Sequence, residues 1–303
     1  MQIAELLRFA AERGEPVFSF EFFPPKNDEG RAAFVDAVRR LRPLGPGFVS
    51  VTWGAGGSTR GRTLEMVTCC KREFEIEAMA HVTCVGATRA QLVDALNELM
   101  DAGIENVLAL RGDPPRGQGG FKTVEGGLRY ASDLVALARE VAEKRNQRLC
   151  IGAACYPEGH PECTDRHRDL AHLKVKVGCG VDFLVTQLFF DNRAYFDFVG
   201  RARAAGIEVP IIPGLMPVTN VDQIRRFTSM CGATVPSMLS AALRVRREDP
   251  DAALQLGVAW ASLQAAELLR GGAPGIHFYT LNKSPASRAI VAALRAAEPW
   301  RAA

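Results

Sequence analysis

Eight short apolar segments alternate with helix-patterned stretches along the 303 residues, and this alternation predicts an α/β fold, a (β/α)8 TIM barrel. Each apolar segment ends in a polar or glycine-containing cluster, which is typical of a buried strand. Strands separated by helices pair in parallel through right-handed crossovers, and eight such units in this length indicate a closed barrel. An open doubly wound sheet, which uses fewer strands, is the main alternative. The predicted strands are 17–23, 48–53, 78–84, 106–112, 149–156, 182–189, 210–215 and 275–281.

The helical predictions rest on apolar residues that recur at helical spacing between these strands. The chain starts with MQIAELLRFAAERGE, an amphipathic pattern with charges throughout, so we expect an extra N-terminal helix and no signal peptide. Segment 234–250 predicts a helical insertion before the last helix. Because no linker or repeat interrupts the pattern, residues 1–303 are expected to form a single catalytic domain. The helices predicted between strands are 31–41, 62–74, 89–102, 130–144, 165–178, 193–205, 221–230 and 252–269.

The composition is that of an ordinary soluble domain, with 48% hydrophobic and 23% charged residues. A net charge of +3 without a basic block argues against nucleic acid as the main partner. No apolar run approaches the length of a membrane span, and no Cys-x-x-Cys pair occurs among the eight cysteines. We therefore expect a cytoplasmic, reduced protein. His160, Cys163 and His167 match no familiar zinc spacing, so no metal is predicted.

The stretch VFSFEFFPP, residues 17–25, places one acidic residue in a buried strand. Side chains alternate along a strand, so Glu21 shares a face with Ser19 and Phe23, and the other phenylalanines share the opposite face. A carboxylate buried amid phenylalanines should have a raised pKa and could deliver a proton near neutral pH. A salt bridge to a lysine or arginine is an equally weighted alternative.

The inward positions near the predicted strand ends are unusually polar. Barrel interiors are normally filled by branched apolar residues, and catalytic sites lie at the carboxyl ends of the strands. Polar residues from five strands therefore predict a wet, ligand-holding mouth at that end. These positions are Ser19, Glu21, Ser50, Thr52, His81, Thr83, Gln187, His277 and Tyr279.

Other motifs remain ambiguous when taken one by one. The glycine-rich SVTWGAGGST, 50–59, could bind an anion or be a plain loop, and no G-x-G-x-x-G opens a helix. In ALRGDPP, Arg111 and Asp113 could pair internally or project into the mouth beside Glu21. A 4-3-4 spacing places Asp165, Asp169, His172 and Lys176 on one polar stripe of a helix, which is usually a solvated face.

Nine short motifs occur along the chain in this order: SFEFFPP, FVSVTWGAGGST, AHVTC, ALRGDPP, YASDL, YPEGHPE, TQLFFD, IIPGLMPVTN and HFYTLN. Together they closely resemble the short, catalytic-domain form of methylenetetrahydrofolate reductase, over residues from about 17 to 283. The resemblance implies non-covalent FAD, reduced by NADH or NADPH in a ping-pong reaction. The reduced flavin then converts 5,10-methylenetetrahydrofolate to 5-methyltetrahydrofolate. It also implies association into a homo-oligomer and no inhibition through a regulatory domain.

The resemblance assigns roles to particular residues. Glu21 matches the general acid, and Asp113 matches the carboxylate that stabilises the iminium and tunes the flavin. The cofactor-binding positions are Thr52, Trp53, Ala55, His81, Arg111, Gly112, Asp113, Ala131, Ser132, Tyr156, His160, Asp169, His172 and Lys176. The positions for folate or nicotinamide are Glu21, Asp113, Gln187, Gln223, Phe227 and Lys283.

Three positions depart from the pattern of bacterial relatives. His172 and Val175 stand where asparagine and arginine are usual, and Lys283 replaces an arginine, so the grip on phosphate or on the folate tail should differ. A flavin-free folate-binding barrel that transfers a methyl group is the alternative function. A non-catalytic subunit is a third hypothesis, which the presence of both Glu21 and Asp113 disfavours.

Overall fold

The computed structural model describes residues 1–54, 59–113 and 120–301, and confirms the predicted α/β barrel. Within those ranges every strand pairing is parallel. Each predicted strand is present, although most are shorter at their carboxyl ends than the apolar pattern suggested. The strands are β1 Val17–Phe22, β2 Phe48–Val51, β3 Glu77–Thr83, β4 Asn106–Leu110, β5 Cys150–Cys155, β6 Phe183–Thr186, β7 Ile211–Ile212, β8 Gly214–Leu215 and β9 Gly275–Tyr279.

The ring closes through a seventh strand position that is split in two. The strand order among described residues is β7-β6-β5-β4-β3-β2-β1-β9-β8. β7 pairs with β6, and β8 pairs with β9, on either side of Pro213. Proline has no N–H to donate, but its carbonyl accepts from the backbone N–H of His277 at 2.9 Å. The predicted segment 210–215 is therefore one strand position interrupted by proline.

Helices cover the outside of the ring. The N-terminal helix and the insertion within 234–250 are confirmed as α1 and α9, whereas α11 was missing from the predicted set. Pro285 at its first turn and the spacing of Ile290, Val291 and Leu294 could have revealed it. The helices are α1 Ile3–Glu12, α2 Asp28–Leu41, α3 Arg60–Arg72, α4 Arg89–Asp101, α5 Ala131–Lys144, α6 Arg166–Gly178, α7 Asn192–Ala204, α8 Val221–Cys231, α9 Ser237–Val245, α10 Pro250–Arg270 and α11 Pro285–Ala297, with 3₁₀ helices at Arg42–Leu44 and Pro299–Arg301.

α1 closes the amino-terminal end of the barrel. Its buried residues Ile3, Leu7 and Ala10 pack on an apolar inner layer. The backbone N–H of Ile3 donates to the Asn106 side-chain oxygen at 2.8 Å, which fixes the helix against β4. Access to the interior is therefore restricted to the carboxyl end of the strands. The inner layer comprises Val17, Phe48, Met79, Leu108, Cys150, Phe183, Val185 and Ile212.

A separate apolar cluster lies at the carboxyl end, where α8, α9 and α10 pack together. Its buried members include Ile224 of α8 and Leu239 of α9, and the half-buried Phe227 and Tyr279 pack against it. This cluster builds one wall beside the mouth from the predicted insertion. None of the described helices is both long and apolar enough to cross a membrane.

Gly152 of β5 gives a test of the packed inner layer. A Cβ at this position would lie 2.6 Å from the Phe183 ring and 3.0 Å from Leu108. Because a packed interior resists added volume, Gly152→Ala should lower the free energy of unfolding by about 1–3 kcal/mol. The matched variant is Gly200→Ala, on the exposed face of α7 with open space around it. It should stabilise by about 0.5–1 kcal/mol in urea denaturation. Equal effects would contradict a packed inner layer.

Candidate active site

Glu21 lies on the inner face of β1, close to the carboxyl end of the barrel. Its side chain is only 13% exposed. In the register it stands beside Ser50 of β2 and Tyr279 of β9. Its Oε2 atom lies 3.4 Å from Nε2 of His81 and 3.6 Å from Nε2 of His277. The predicted convergence of polar inward positions is confirmed at this carboxylate.

The expectation that phenylalanines surround Glu21 is wrong. Phe20 stacks on Phe278 and Phe22 packs on Phe34, on the outer face between the strands and the helices. Phe23 is 41% exposed. Alternation along β1 places the rings of Phe20 and Phe22 on the face opposite the carboxylate. The ion pairs among described residues give Glu21 no lysine or arginine partner, so the salt-bridge alternative is not supported either; its neighbours are imidazoles.

His277 is held rigidly beside that carboxylate. It is fully buried, and its Nδ1 lies 2.8 Å from the Ser19 hydroxyl oxygen. Its ring stacks on Phe48 with centroids 5.8 Å apart. Tyr279 packs edge-on against it and donates its hydroxyl to the Thr186 carbonyl at 2.6 Å. The Ser19 contact occupies Nδ1, so Nε2 is the ring nitrogen that faces Glu21.

His81 is a buried imidazole that remains neutral at physiological pH. Burial lowers its pKa to about 4, although the nearby Glu21 carboxylate partly opposes this shift. Its Nε2 approaches Glu21 without hydrogen-bond alignment and has no hydrogen-bond partner among the described residues, and neither does the Thr83 hydroxyl. Buried polar groups in proteins are normally satisfied. Both unpaired groups lie on the inner face of β3 near the open end of the barrel, where a polar ligand can supply their missing partners.

The exit of β4 carries Arg111, Gly112 and Asp113. Arg111 does not form the internal pair with Asp113 that the sequence left open; its two terminal nitrogens donate to the Glu162 carboxylate at 2.6 and 2.7 Å. Gly112 has a φ of +84°, and a Cβ there would lie 2.5 Å from Val85. This backbone conformation requires glycine and leaves Asp113 exposed at the barrel end.

A second cluster of polar side chains lies in the loop after β5 and on α6. Tyr156 packs edge-on against His160 at 4.6 Å, and burial raises the pKa of the Tyr156 hydroxyl with a further contribution from Asp113. The backbone N–H of His160 donates to Asp169 at 3.1 Å. Lys176 donates to the Ala154 carbonyl at 2.6 Å, and burial lowers its pKa. Arg111 and Asp113 both act electrostatically on Tyr156, which shows that the three side chains lie near one another.

The polar stripe of α6 is divided between the site and the surface. Asp169 and Lys176 are half-buried, whereas Asp165 caps the helix and is exposed. His172 is also exposed, so the described structure does not bring it to the polar side chains around Asp169 and Lys176. The interpretation of the whole stripe as a solvated face is therefore wrong for its two inner members.

The remaining predicted positions are spread around the same end. Thr52 and Trp53 follow β2, Ala131 and Ser132 form the first turn of α5, and Phe227 lies half-buried on α8. Gln187 is half-buried, and its side-chain oxygen accepts from the N–H of Leu188 at 2.9 Å. Lys283 is exposed after β9. Ala55 lies outside the described residues, as does the side chain of Gln223.

Sequence reasoning missed Glu162 as the partner of Arg111. The two residues come from the loops after β4 and β5, and neither periodicity nor a motif relates them; the parallel pairing of these neighbouring strands brings the two loops together. For metals, the described part of the chain contains no group of three or more His, Cys, Asp or Glu side chains that could hold an ion.

Comparison with known proteins decides the family. The family model described as methylenetetrahydrofolate reductase matches residues 6–295. The chain belongs to the methylenetetrahydrofolate reductase family. The 5,10-methylenetetrahydrofolate reductase of Escherichia coli is 38% identical over 281 residues, covering 93% of this chain and 91% of that protein. Methylenetetrahydrofolate reductase (NADH) 1 of Arabidopsis thaliana is 38% identical over 291 residues, covering 93% of this chain and 49% of that protein.

The chain thus spans about half the length of the plant members it matches. A solved structure with a similar fold is an uncharacterized protein from Clostridium thermocellum that binds two copies of 5-methyl-5,6,7,8-tetrahydrofolic acid. It aligns with a TM-score of 0.62 and covers 95% of this chain and 96% of its own, at 16% identity. At that identity the likeness shows the shared fold alone.

His81 should make stability depend on pH. Above about pH 6.5 its imidazole is neutral in both states, but at lower pH the unfolded chain takes up a proton that the folded protein excludes until about pH 4. As the pH is lowered from about 6.5 to about 4, the free energy of unfolding should therefore decrease by up to about 1.4 kcal/mol per pH unit. His81→Asn should flatten the profile in urea titrations, whereas His167→Asn, at an exposed position of α6, should not. An unchanged slope in His81→Asn would contradict the neutral buried imidazole.

Proposed function

We propose that this chain reduces 5,10-methylenetetrahydrofolate to 5-methyltetrahydrofolate with NADH or NADPH, through non-covalent FAD. The proposal rests on membership of this family and on one structural observation. The Glu21 carboxyl group is mostly withdrawn from water, beside two imidazoles, at the open end of a barrel. Such a group can transfer a proton within a site that excludes bulk solvent. The alternative of flavin-free methyl transfer has no comparable observation in its favour.

The residues present fit a flavin dinucleotide. The unpaired His81 Nε2 and Thr83 hydroxyl offer hydrogen bonds to a polar ring edge. Arg111 and Lys176 supply positive charge for a diphosphate, and Asp169 lies on the same helix as Lys176. When bound, FAD supplies the capacity to accept and deliver a hydride. Thr52, Trp53, Ala131, Ser132, Tyr156 and His160 complete the proposed contacts, with Ala55 and His172 as further predicted positions.

Glu21 is the proposed general acid. Protonated on a carboxyl oxygen, it donates to the folate ring nitrogen, so that the methylene bridge opens to an iminium. His277 lies 3.6 Å from the carboxyl group, and Ser19 and Phe48 fix its ring at that position. His81 is neutral and adds no positive charge that would hold Glu21 as a permanent ion pair. These neighbours orient the acid and exclude water from it.

Asp113 is the proposed stabiliser of the iminium. Its carboxylate stands at the exit of β4, near Arg111 and Tyr156, where a fixed negative charge lowers the energy of a developing cation. The proposed folate and nicotinamide contacts are Gln187, Gln223, Phe227 and Lys283. Phe227 offers an aromatic face from the wall formed by α8. Choice of nicotinamide, a homo-oligomeric state and a cytoplasmic location stay predictions.

Flavin absorbance tests the two half-reactions separately. The purified protein reconstituted with FAD should lose its flavin absorbance when mixed anaerobically with NADH or NADPH, and recover it when methylenetetrahydrofolate is added. Stopped-flow spectroscopy with each nicotinamide measures both rates and gives the preferred reductant. Tight folate binding without any flavin binding would overturn the proposal in favour of the methyl-transfer alternative.

Glu21→Gln should separate the two half-reactions. Flavin reduction by the nicotinamide should survive, because it needs no acid. Folate reduction should slow by about 10²–10⁴-fold, the usual contribution of a positioned acid. Glu15→Gln, at the opposite end of β1 where Glu15 pairs with Arg301, is the matched control and should leave both rates unchanged. Unchanged folate turnover in Glu21→Gln would remove the assignment of the acid.

A further inference from the structure

The proposed function has Arg111 bind the cofactor diphosphate. In the structure, Glu162 already occupies the end of the Arg111 guanidinium that would make this contact. Its two carboxylate oxygens accept from Nη1 and Nη2 of Arg111 at 2.6 and 2.7 Å. Phosphate engages a guanidinium through the same two-pronged geometry. A carboxylate and a phosphate therefore compete for this end of Arg111, and their like charges also repel each other.

The two partners differ in freedom to move. The Arg111 side chain is 22% exposed, follows directly on β4, and lies over the Phe121 ring at 5.0 Å. The Glu162 side chain is 56% exposed. Releasing the pair would return Glu162 to water at little cost, whereas Arg111 is held in place by its packing. Glu162 is the member that can leave.

The backbone around Glu162 is tied down independently of its carboxylate. Its own N–H donates to Nδ1 of His160 at 3.1 Å, and the N–H of Cys163 donates to the His160 carbonyl at 2.8 Å. On the same loop, Glu158 accepts from the N–H of Thr234, 3.1 Å from each oxygen. Exchange of the carboxylate for a phosphate therefore requires only rotation of the Glu162 side chain.

We propose that Glu162 is an internal substitute for phosphate, which pairs with Arg111 when the cofactor is absent and weakens FAD binding by competing for the guanidinium. The inference rests on the proposed function, since it assumes that Arg111 contacts the diphosphate. It assigns to Glu162 a control of cofactor affinity and exchange rather than a part in the chemistry.

Binding equilibria of the flavin-free 303-residue chain test this competition. Glu162→Gln keeps the side-chain size and removes the charge, so the FAD dissociation constant should fall by about three- to tenfold. Riboflavin, which carries no phosphate, should bind the variant and the parent equally. Quenching of flavin fluorescence measures both ligands without any turnover.

Two further variants sharpen the result. Glu98→Gln breaks another two-pronged surface pair, formed with Nε and Nη2 of Arg60, and makes the same change in net charge, so it should leave FAD affinity unchanged. In an Arg111→Gln background, Glu162→Gln should have no further effect, because the contested cation is gone.

The outcomes distinguish this inference from the function on which it rests. A protein that binds no FAD overturns both. FAD binding that weakens or stays constant in Glu162→Gln overturns the competition alone, and weakening would mean that Glu162 preorganises Arg111. An equal gain for riboflavin and FAD also overturns it, because the effect would then come from the loop and not from phosphate.

Discussion

The contact that organises this protein is the approach of the Glu21 carboxylate to the buried imidazoles of His81 and His277 inside a ring of parallel strands. Removing a carboxylate from water is costly, and here no lysine or arginine of the described residues offsets that cost. Its nearest polar neighbours are the two imidazoles, of which Ser19 and Phe48 hold one while burial keeps the other neutral. The proposed acid therefore depends on the whole ring.

The interior of the barrel is divided into two layers with different tasks. The lower layer is apolar, sealed by α1, and contributes stability through packing. The upper layer replaces branched side chains with Ser, His, Thr and Glu, and leaves His81 Nε2 and Thr83 Oγ1 without partners in the described structure. Unpaired buried groups reduce stability, so their position at the open end is consistent with a site that a ligand completes.

Strand alternation explains both the success and the main error of the sequence interpretation. Period-two alternation correctly placed Ser19, Glu21, His81 and His277 on one inner surface. The same rule puts Phe20 and Phe22 on the other surface, against Phe278 and Phe34, so adjacency in VFSFEFFPP did not mean contact. On α6, helical spacing grouped Asp169 with His172, but only packing against β5 and its loop separates an inner position from an exposed one.

The sequence by itself determined the order of the strands and of the helices between them, the inner face of each strand, and the family, because these depend on local periodicity and on motifs that keep their order. Only the tertiary structure decided which charged groups meet. The sequence predicted that Arg111 would either pair with Asp113 or project into the open end of the barrel. Its partner is instead Glu162, from a loop about fifty residues further along the chain. Pairing between these loops depends on the parallel alignment of β4 and β5, which places the two strand exits side by side and leaves no local signal in either loop.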